Sequence, residues 1–236
     1  MAIHNREAFL ERLAGRLGRS PRTAGVERPV WRVHPQKDVL NGLTQDELVQ
    51  VLEKQCKVIH TDFRRTDCVS LSQVLGEVIE AYKGNQLVIA KDERTEKLGL
   101  TSYFEDLRKS GKAVHEWDAT LGKENQVIAE KADIGITYSD IALAESGTVA
   151  LLNDQNQSRS ISLLPRSYIA IIPKSTIVPR FTQAVEQIRK ELTAGRDVRS
   201  CVSLVTGPSN SADIEMKLIV GVHGPIEATY IIVEDK

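Results

Sequence analysis

Leu87-Val88-Ile89-Ala90 is an unbroken apolar run into which no polar residue alternates. A strand with one wet face alternates apolar and polar side chains, whereas a continuous run has to be buried on both faces. Helical patterns flank it. Upstream, Ser70 and Gln73 have capping spacing ahead of Val74, Val78, Ile79 and Tyr82, with Gly84-Asn85 as the stop. Downstream, residues 103–110 read as a helix closed by Gly111. Farther out, Ala113-Val114-His115 is a strand, 124–131 a helix and Ile134-Gly135-Ile136-Thr137 a strand. On the other side, Thr44 and Glu47 open a helix that buries Leu48, Val49, Leu52 and Cys56, and Val58-Ile59 reads as a short strand. This alternation is the pattern of a mainly parallel sheet covered on both faces.

After Thr137 the rhythm changes. Thr148 to Leu152, Tyr168 to Ile172, Cys201 to Val205, Leu218 to Val222 and Ala228 to Val233 read as strands, and Cys201–Val205 reads as a buried one. A single long helix interrupts them, from about Phe181 to Leu192, with Pro179 before it and Gly195 after it. The expectation is an α/β three-layer sandwich, a mainly parallel sheet with antiparallel C-terminal strands. An N-terminal helix and extended arm (1–43) precede the α/β domain (44–236). In the arm, Asn5 is placed to cap a helix over 5–17 whose Phe9, Leu13 and Leu17 share one face, and Pro21, Pro29 and Pro35 mark an extended tether. That face needs a cover, supplied by its own domain or by a second subunit.

The 31 basic and 32 acidic residues nearly cancel, and the few aromatics are not interleaved with a basic patch. Nucleic-acid binding is therefore not expected. No apolar run approaches the ~20 residues that cross a bilayer, and the N-terminal residues lack the apolar core of a signal peptide, so a cytoplasmic protein is expected. Cys56, Cys68 and Cys201 are far apart, with no Cys-x-x-Cys. The chain alone is expected to bind no cofactor: it has no cluster or zinc spacing, and no Gly-x-Gly-x-x-Gly for a dinucleotide.

Candidate chemistry gathers where the second-half strands stop. Glu145, before Ser146-Gly147-Thr148, is placed to act as base, nucleophile or ligand, or is an exposed turn residue beside a hairpin glycine. Thr206 to Asp213 offers hydroxyls and N–H groups to an anion, with Gly207 and Ser209 at its centre, or is a solvated connection. Arg159 and Lys217 are the candidate countercharges. Asp213 and Glu215 with His223 form a set that could bind a divalent metal or share proton work; in the plainer reading Asp213 caps a turn and His223 makes a structural hydrogen bond before Pro225, and no metal is assigned. Catalytic roles are assigned to Glu145, Asp213 and His223. Substrate or anion binding is assigned to Gly147, Thr148, Arg159, Thr206, Gly207, Ser209 and Glu215. Glu145, the Thr206–Ser209 loop, Asp213, Glu215 and His223 are expected to converge on one pocket holding a small carboxylate or phosphate.

Several segments resemble the LUD-domain family: Ala142-Leu143-Ala144-Glu145-Ser146-Gly147-Thr148, Leu163-Leu164-Pro165, Ser200-Cys201-Val202-Ser203, Thr206-Gly207-Pro208-Ser209, Ala212-Asp213-Ile214-Glu215 and Gly221-Val222-His223-Gly224-Pro225. The resemblance covers residue 44 to the end. It implies a fold similar to the glucosamine-phosphate isomerase, ribose-phosphate isomerase and CoA-transferase group. It also implies a part in bacterial L-lactate utilisation, with iron–sulfur partner proteins carrying the clusters in oxidation to pyruvate. A stand-alone isomerase or acyl/CoA-transferase, working on a phosphorylated or CoA-linked small molecule through Glu145, is the alternative. A homo-oligomer formed through the N-terminal arm is a further expectation.

Overall fold

A computed structural model describes residues 4–22, 24–25, 27, 29–195, 201–212 and 216–235. The chain divides into two units, Met1–Pro35 and Gln36–Lys236. The helices are α1 (Arg6–Arg16), α2 (Pro35–Asp38), α3 (Gln45–Val58), α4 (Leu71–Ala81), α5 (Arg94–Lys97), α6 (Leu100–Lys109), α7 (Glu124–Lys131), α8 (Arg159–Leu163) and α9 (Phe181–Thr193). The strands are β1 (Asp62–Asp67), β2 (Gln86–Ile89), β3 (Ala113–Glu116), β4 (Ile134–Tyr138), β5 (Ile141–Leu143), β6 (Thr148–Asn153), β7 (Ser167–Pro173), β8 (Ile177–Val178), β9 (Cys201–Thr206), β10 (Asn210–Ser211), β11 (Ile219–Val220) and β12 (Glu227–Glu234).

Six strands form one parallel sheet in the order β1-β12-β7-β4-β2-β3. Leu87, Ile89, Ile134, Ile136, Ile169, Ile171 and Ile231 point to the face covered by α4 and α6. Tyr168, Ala170, Ile172, Tyr230 and Ile232 point the other way, onto α3 and a second sheet. That smaller sheet, β8-β5-β6-β9, is antiparallel except where β5 meets β8. Its outer face carries α9, through Ala184 and Ile188. The fold is thus a mixed α/β architecture with a mainly parallel sheet and added antiparallel strands, as the change of rhythm after Thr137 predicts.

Local signals explain the element ends. Thr44 and Glu47 form a reciprocal capping box at α3, and Asp67 Oδ1 accepts from Ser70 N–H at 2.7 Å ahead of α4. Three strand expectations are corrected. Val58-Ile59 closes α3, and the strand comes later, at Asp62–Asp67. β1 is an edge strand with only Thr66 buried, so Phe63 and two arginines replace the apolar run that a central strand shows. Cys201–Val205 is not a buried strand: β9 is the edge of the small sheet, and its Val202 and Leu204 are exposed. Leu218–Val222 contains only the two-residue β11, paired with β10 and apart from both larger sheets.

Edge strand β1 is held electrostatically. Arg65 bonds Glu234, and its Nη2 donates to Asp46 Oδ1 at 2.8 Å. Lys174 Nζ donates to Glu234 Oε2 at 2.7 Å and to Asp46 Oδ1 at 2.8 Å. These bonds, Lys174's first, hold both carboxyls below their usual values of 3.8 and 4.5. A carboxyl with a lowered folded pKa contributes stability above its unfolded pKa and loses it as pH falls through the folded one. The urea midpoint should therefore fall as pH drops below the usual carboxylate values, and fall less steeply in Lys174→Gln. Parallel pH curves for the two proteins would contradict this linkage.

Candidate functional site

The glutamate turn and the Thr206 loop meet. In the β6–β9 register Thr148 stands opposite Thr206, and their hydroxyls are 2.7 Å apart, with Ser146 Oγ 2.7 Å from Thr148 Oγ1. Gly147 and Gly207 both have positive φ, +66° and +64°, and both lie against the end of α3. A Cβ on Gly147 would come within 2.6 Å of Ile59 Cδ1, and one on Gly207 within 2.6 Å of the Ile59 carbonyl oxygen. Glycine is required at both for conformation and for clearance.

Ile59 precedes β1, so this cluster lies at the amino-terminal edge of the parallel sheet. The His223 loop lies at the same edge. Ile226 N–H, just before β12, donates to the Arg166 carbonyl just before β7 at 2.8 Å. Ser209 N–H donates to the Pro225 carbonyl at 2.8 Å, and Gly221 N–H to the Ser209 carbonyl at 2.8 Å. His223 is exposed. Glu145 is bonded to Arg180 Nε at 2.6 Å, which ties the turn to the start of α9. Arg159 stands exposed at the first turn of α8. Asp213 and Glu215 lie outside the described residues.

The loop amides are already engaged. Gly207 N–H donates to the Tyr230 hydroxyl at 2.9 Å, and that hydroxyl donates to the Val205 carbonyl at 3.2 Å. Tyr230 is fully buried, and burial pushes its hydroxyl pKa far above the usual value, so it stays a neutral donor and acceptor. Tyr230→Phe would leave the Gly207 N–H and the Val205 carbonyl without this partner, a loss of about 1–3 kcal/mol. Chemical denaturation measures it; an unchanged midpoint would show that the loop does not depend on this bond.

A second polar region lies at the opposite edge. β2 and β4 are neighbours, but the chain leaving β2 reaches β3 on one side, whereas the chain leaving β4 reaches β7 on the other. Such a reversal opens a crevice beyond the carboxyl ends of two parallel strands, where ligands of open α/β sheets collect. A cavity of about 500 Å³ lies here, lined by Lys91 to Arg94 after β2, Asp140 after β4, and Asp154 and Asn156 after β6. A neighbouring cavity of about 420 Å³ shares Lys91, Asp92, Glu93 and Asn156 and adds Glu96 and Glu116.

Arg94 organises the wall. Its Nε and Nη2 donate to the two Asp92 oxygens at 2.8 and 2.6 Å, Nη2 also to Asp140 Oδ1 at 3.0 Å, and Nη1 to the Ser139 carbonyl at 3.0 Å. The guanidinium lies 5.4 Å from the Tyr138 ring centroid. Burial pushes the Tyr138 hydroxyl up to about 12, and it bonds Thr95 at 2.9 Å. Asp140 Oδ2 accepts from Leu152 N–H at 2.7 Å, fixing β6 to the end of β4. Four of the five guanidinium donors are used, so Arg94 has little left for an incoming anion.

Sequence reading passes over this crevice because Lys91-Asp92-Glu93-Arg94 looks like an ordinary solvated charge run. The one available signal is its position, directly after a doubly buried strand.

The family model described as the LUD domain matches residues 49–233. The chain is 56% identical to lactate utilization protein C of Oceanobacillus iheyensis over 99% of this chain and 100% of that protein. It is 50% identical to the Bacillus subtilis protein of the same name, over 99% and 98%. Among solved structures, a DUF162 family protein from Deinococcus radiodurans superposes with a TM-score of 0.56 at 18% identity, covering 81% of this chain and 99% of that one; it supports the fold.

Proposed function

The chain belongs to the LUD-domain family, and from that premise we propose that it is a component of an L-lactate utilisation system, acting with iron–sulfur partner proteins in the oxidation of L-lactate to pyruvate. The observation that carries this reading is near-full-length identity of 48–56% to proteins named lactate utilization protein C. The oxidation removes two electrons and two protons from lactate, so an electron acceptor is required. The three cysteines of this chain are fewer than the four thiolates of a Cys₄ cluster. They also stand apart: Cys56 buried in α3, Cys68 exposed after β1, and Cys201 half-buried at the start of β9. In this reading the clusters that take the electrons belong to the partners, and this chain works as a subunit.

Deleting the gene should abolish growth on L-lactate as sole carbon source while leaving growth on pyruvate intact, and a plasmid copy should restore it. Undiminished growth of the deletion strain on L-lactate would overturn the proposal.

A further inference from the structure

We propose that Asn41-Gly42 is a site of non-enzymatic covalent modification, where the Gly42 backbone nitrogen attacks the Asn41 carboxamide and the residue is remade as aspartate or isoaspartate. The sequence contains this Asn-Gly pair and no other. Glycine has no Cβ to shield its own nitrogen. Both residues are exposed, in the turns that link α2 to α3. Gly42 has φ +76°, and a Cβ built on it would meet no atom within 4 Å. The Asn41 N–H donates to the Asp38 carbonyl at 3.3 Å. Among the described residues, neither the Asn41 carboxamide nor the Gly42 N–H has a hydrogen-bond partner. Nucleophile and electrophile are therefore adjacent, unbonded and open to solvent, and no helix or strand fixes the torsions between them. Asn210-Ser211, also followed by a small residue, is held in place. Asn210 Nδ2 donates to the Pro208 carbonyl at 2.9 Å, and both residues pair with β11.

The chemistry needs only water. The Gly42 nitrogen gives its proton to hydroxide and bonds Asn41 Cγ; the Cγ–Nδ2 bond breaks, and ammonia leaves behind a cyclic imide. Water then opens the ring. Cleavage at Cγ restores the chain with an aspartate side chain, whereas cleavage at the Asn41 backbone carbonyl leaves the chain running through Cγ, as isoaspartate. Nothing is oxidised or reduced: water enters and ammonia departs. Either product adds a negative charge, and isoaspartate also lengthens the main chain by a methylene. Leu43 packs against the core beside α3, and Thr44 caps that helix. The change thus falls in the connection ahead of Leu43, and the folded domain can carry it.

The test is prolonged incubation of the full-length folded protein at mildly alkaline pH, followed by anion exchange and peptide mapping by mass spectrometry. The proposal expects a growing, more acidic fraction. Its mass gain should be that of replacing an amide NH₂ by OH, confined to the peptide that contains residue 41, with aspartate and isoaspartate isomers both present. Asn41→Ser should lose this fraction. Gly42→Ala should slow it, because the added methyl shields the nitrogen and an L side chain resists the positive φ. A parallel incubation in urea isolates the part played by the fold: residue 41 should react about as fast in the native protein as in the unfolded chain. An intact Asn41 in the folded protein, reaction at residue 41 in urea alone, or an acidic fraction undiminished in Asn41→Ser would each overturn the assignment. The readout is covalent, so it can fail while the lactate-utilisation reading stands, and the reverse.

Discussion

Arg94→Met is expected to lower the unfolding free energy by about 3–5 kcal/mol, the cost of removing one partner from a buried ion pair. The Arg94 side chain is 20% exposed, and the Asp92 and Asp140 side chains it joins are 9% and 14% exposed. Methionine fills much of the space but removes the guanidinium that bonds both carboxylates. Their protonated forms are then favoured, so the deficit should shrink as pH falls toward the ordinary carboxylate range. Arg94→Lys, which keeps the charge but loses the planar fork, should fall between the two. Urea unfolding of the three proteins at neutral and acidic pH measures this. A loss below about 1 kcal/mol for Arg94→Met, or one independent of pH, would mean that the cluster behaves as a solvated surface pair.

Gly135→Ala is expected to cost about 3 kcal/mol or more, at or beyond the upper end for an overpacked core. Gly135 is the second residue of β4, and a Cβ there would stand 1.9 Å from the Ile161 carbonyl oxygen and 2.9 Å from Pro165 Cγ. The obstacle is the backbone of α8, which cannot swing aside as a side-chain tip does. α8 packs on the sheet through Ile161, whose neighbours include Val88, Trp117 and Ala129. The substitution should therefore loosen α8 and the loop before it, including Asp154 and Gln157. Hydrogen exchange of residues 154–163 reports this directly. A variant with native stability and unchanged protection there would contradict the close approach.

The parallel sheet is legible in the sequence because β2, β4, β7 and β12 are buried on both faces and leave continuous apolar runs. β1 is not, since an edge strand needs few apolar side chains. Its partner β12 lies more than 160 residues away, a pairing that no local pattern encodes. The same non-local order hides the crevice between β2 and β4. Lys91 to Arg94, Asp140 and Asp154 become neighbours only once the strands are ranked. At the amino-terminal edge, Glu145 and Thr148 stand at the start of β6 and Thr206 at the end of β9, strand ends that the sequence marks, whereas His223 follows a stretch read as a strand that forms only the two-residue β11. Which hydroxyl meets which depends on the β6–β9 register, and the capture of the Gly207 amide by Tyr230 has no local signature.

Lactate-dependent dye reduction by purified components tests the central claim most directly, with this chain and its iron–sulfur partners assayed separately and together. The account predicts no activity from this chain alone, and activity from the assembled set that is lost when this chain is left out. Full activity of the partners without it, or lactate oxidation by this chain unaided, would contradict the account.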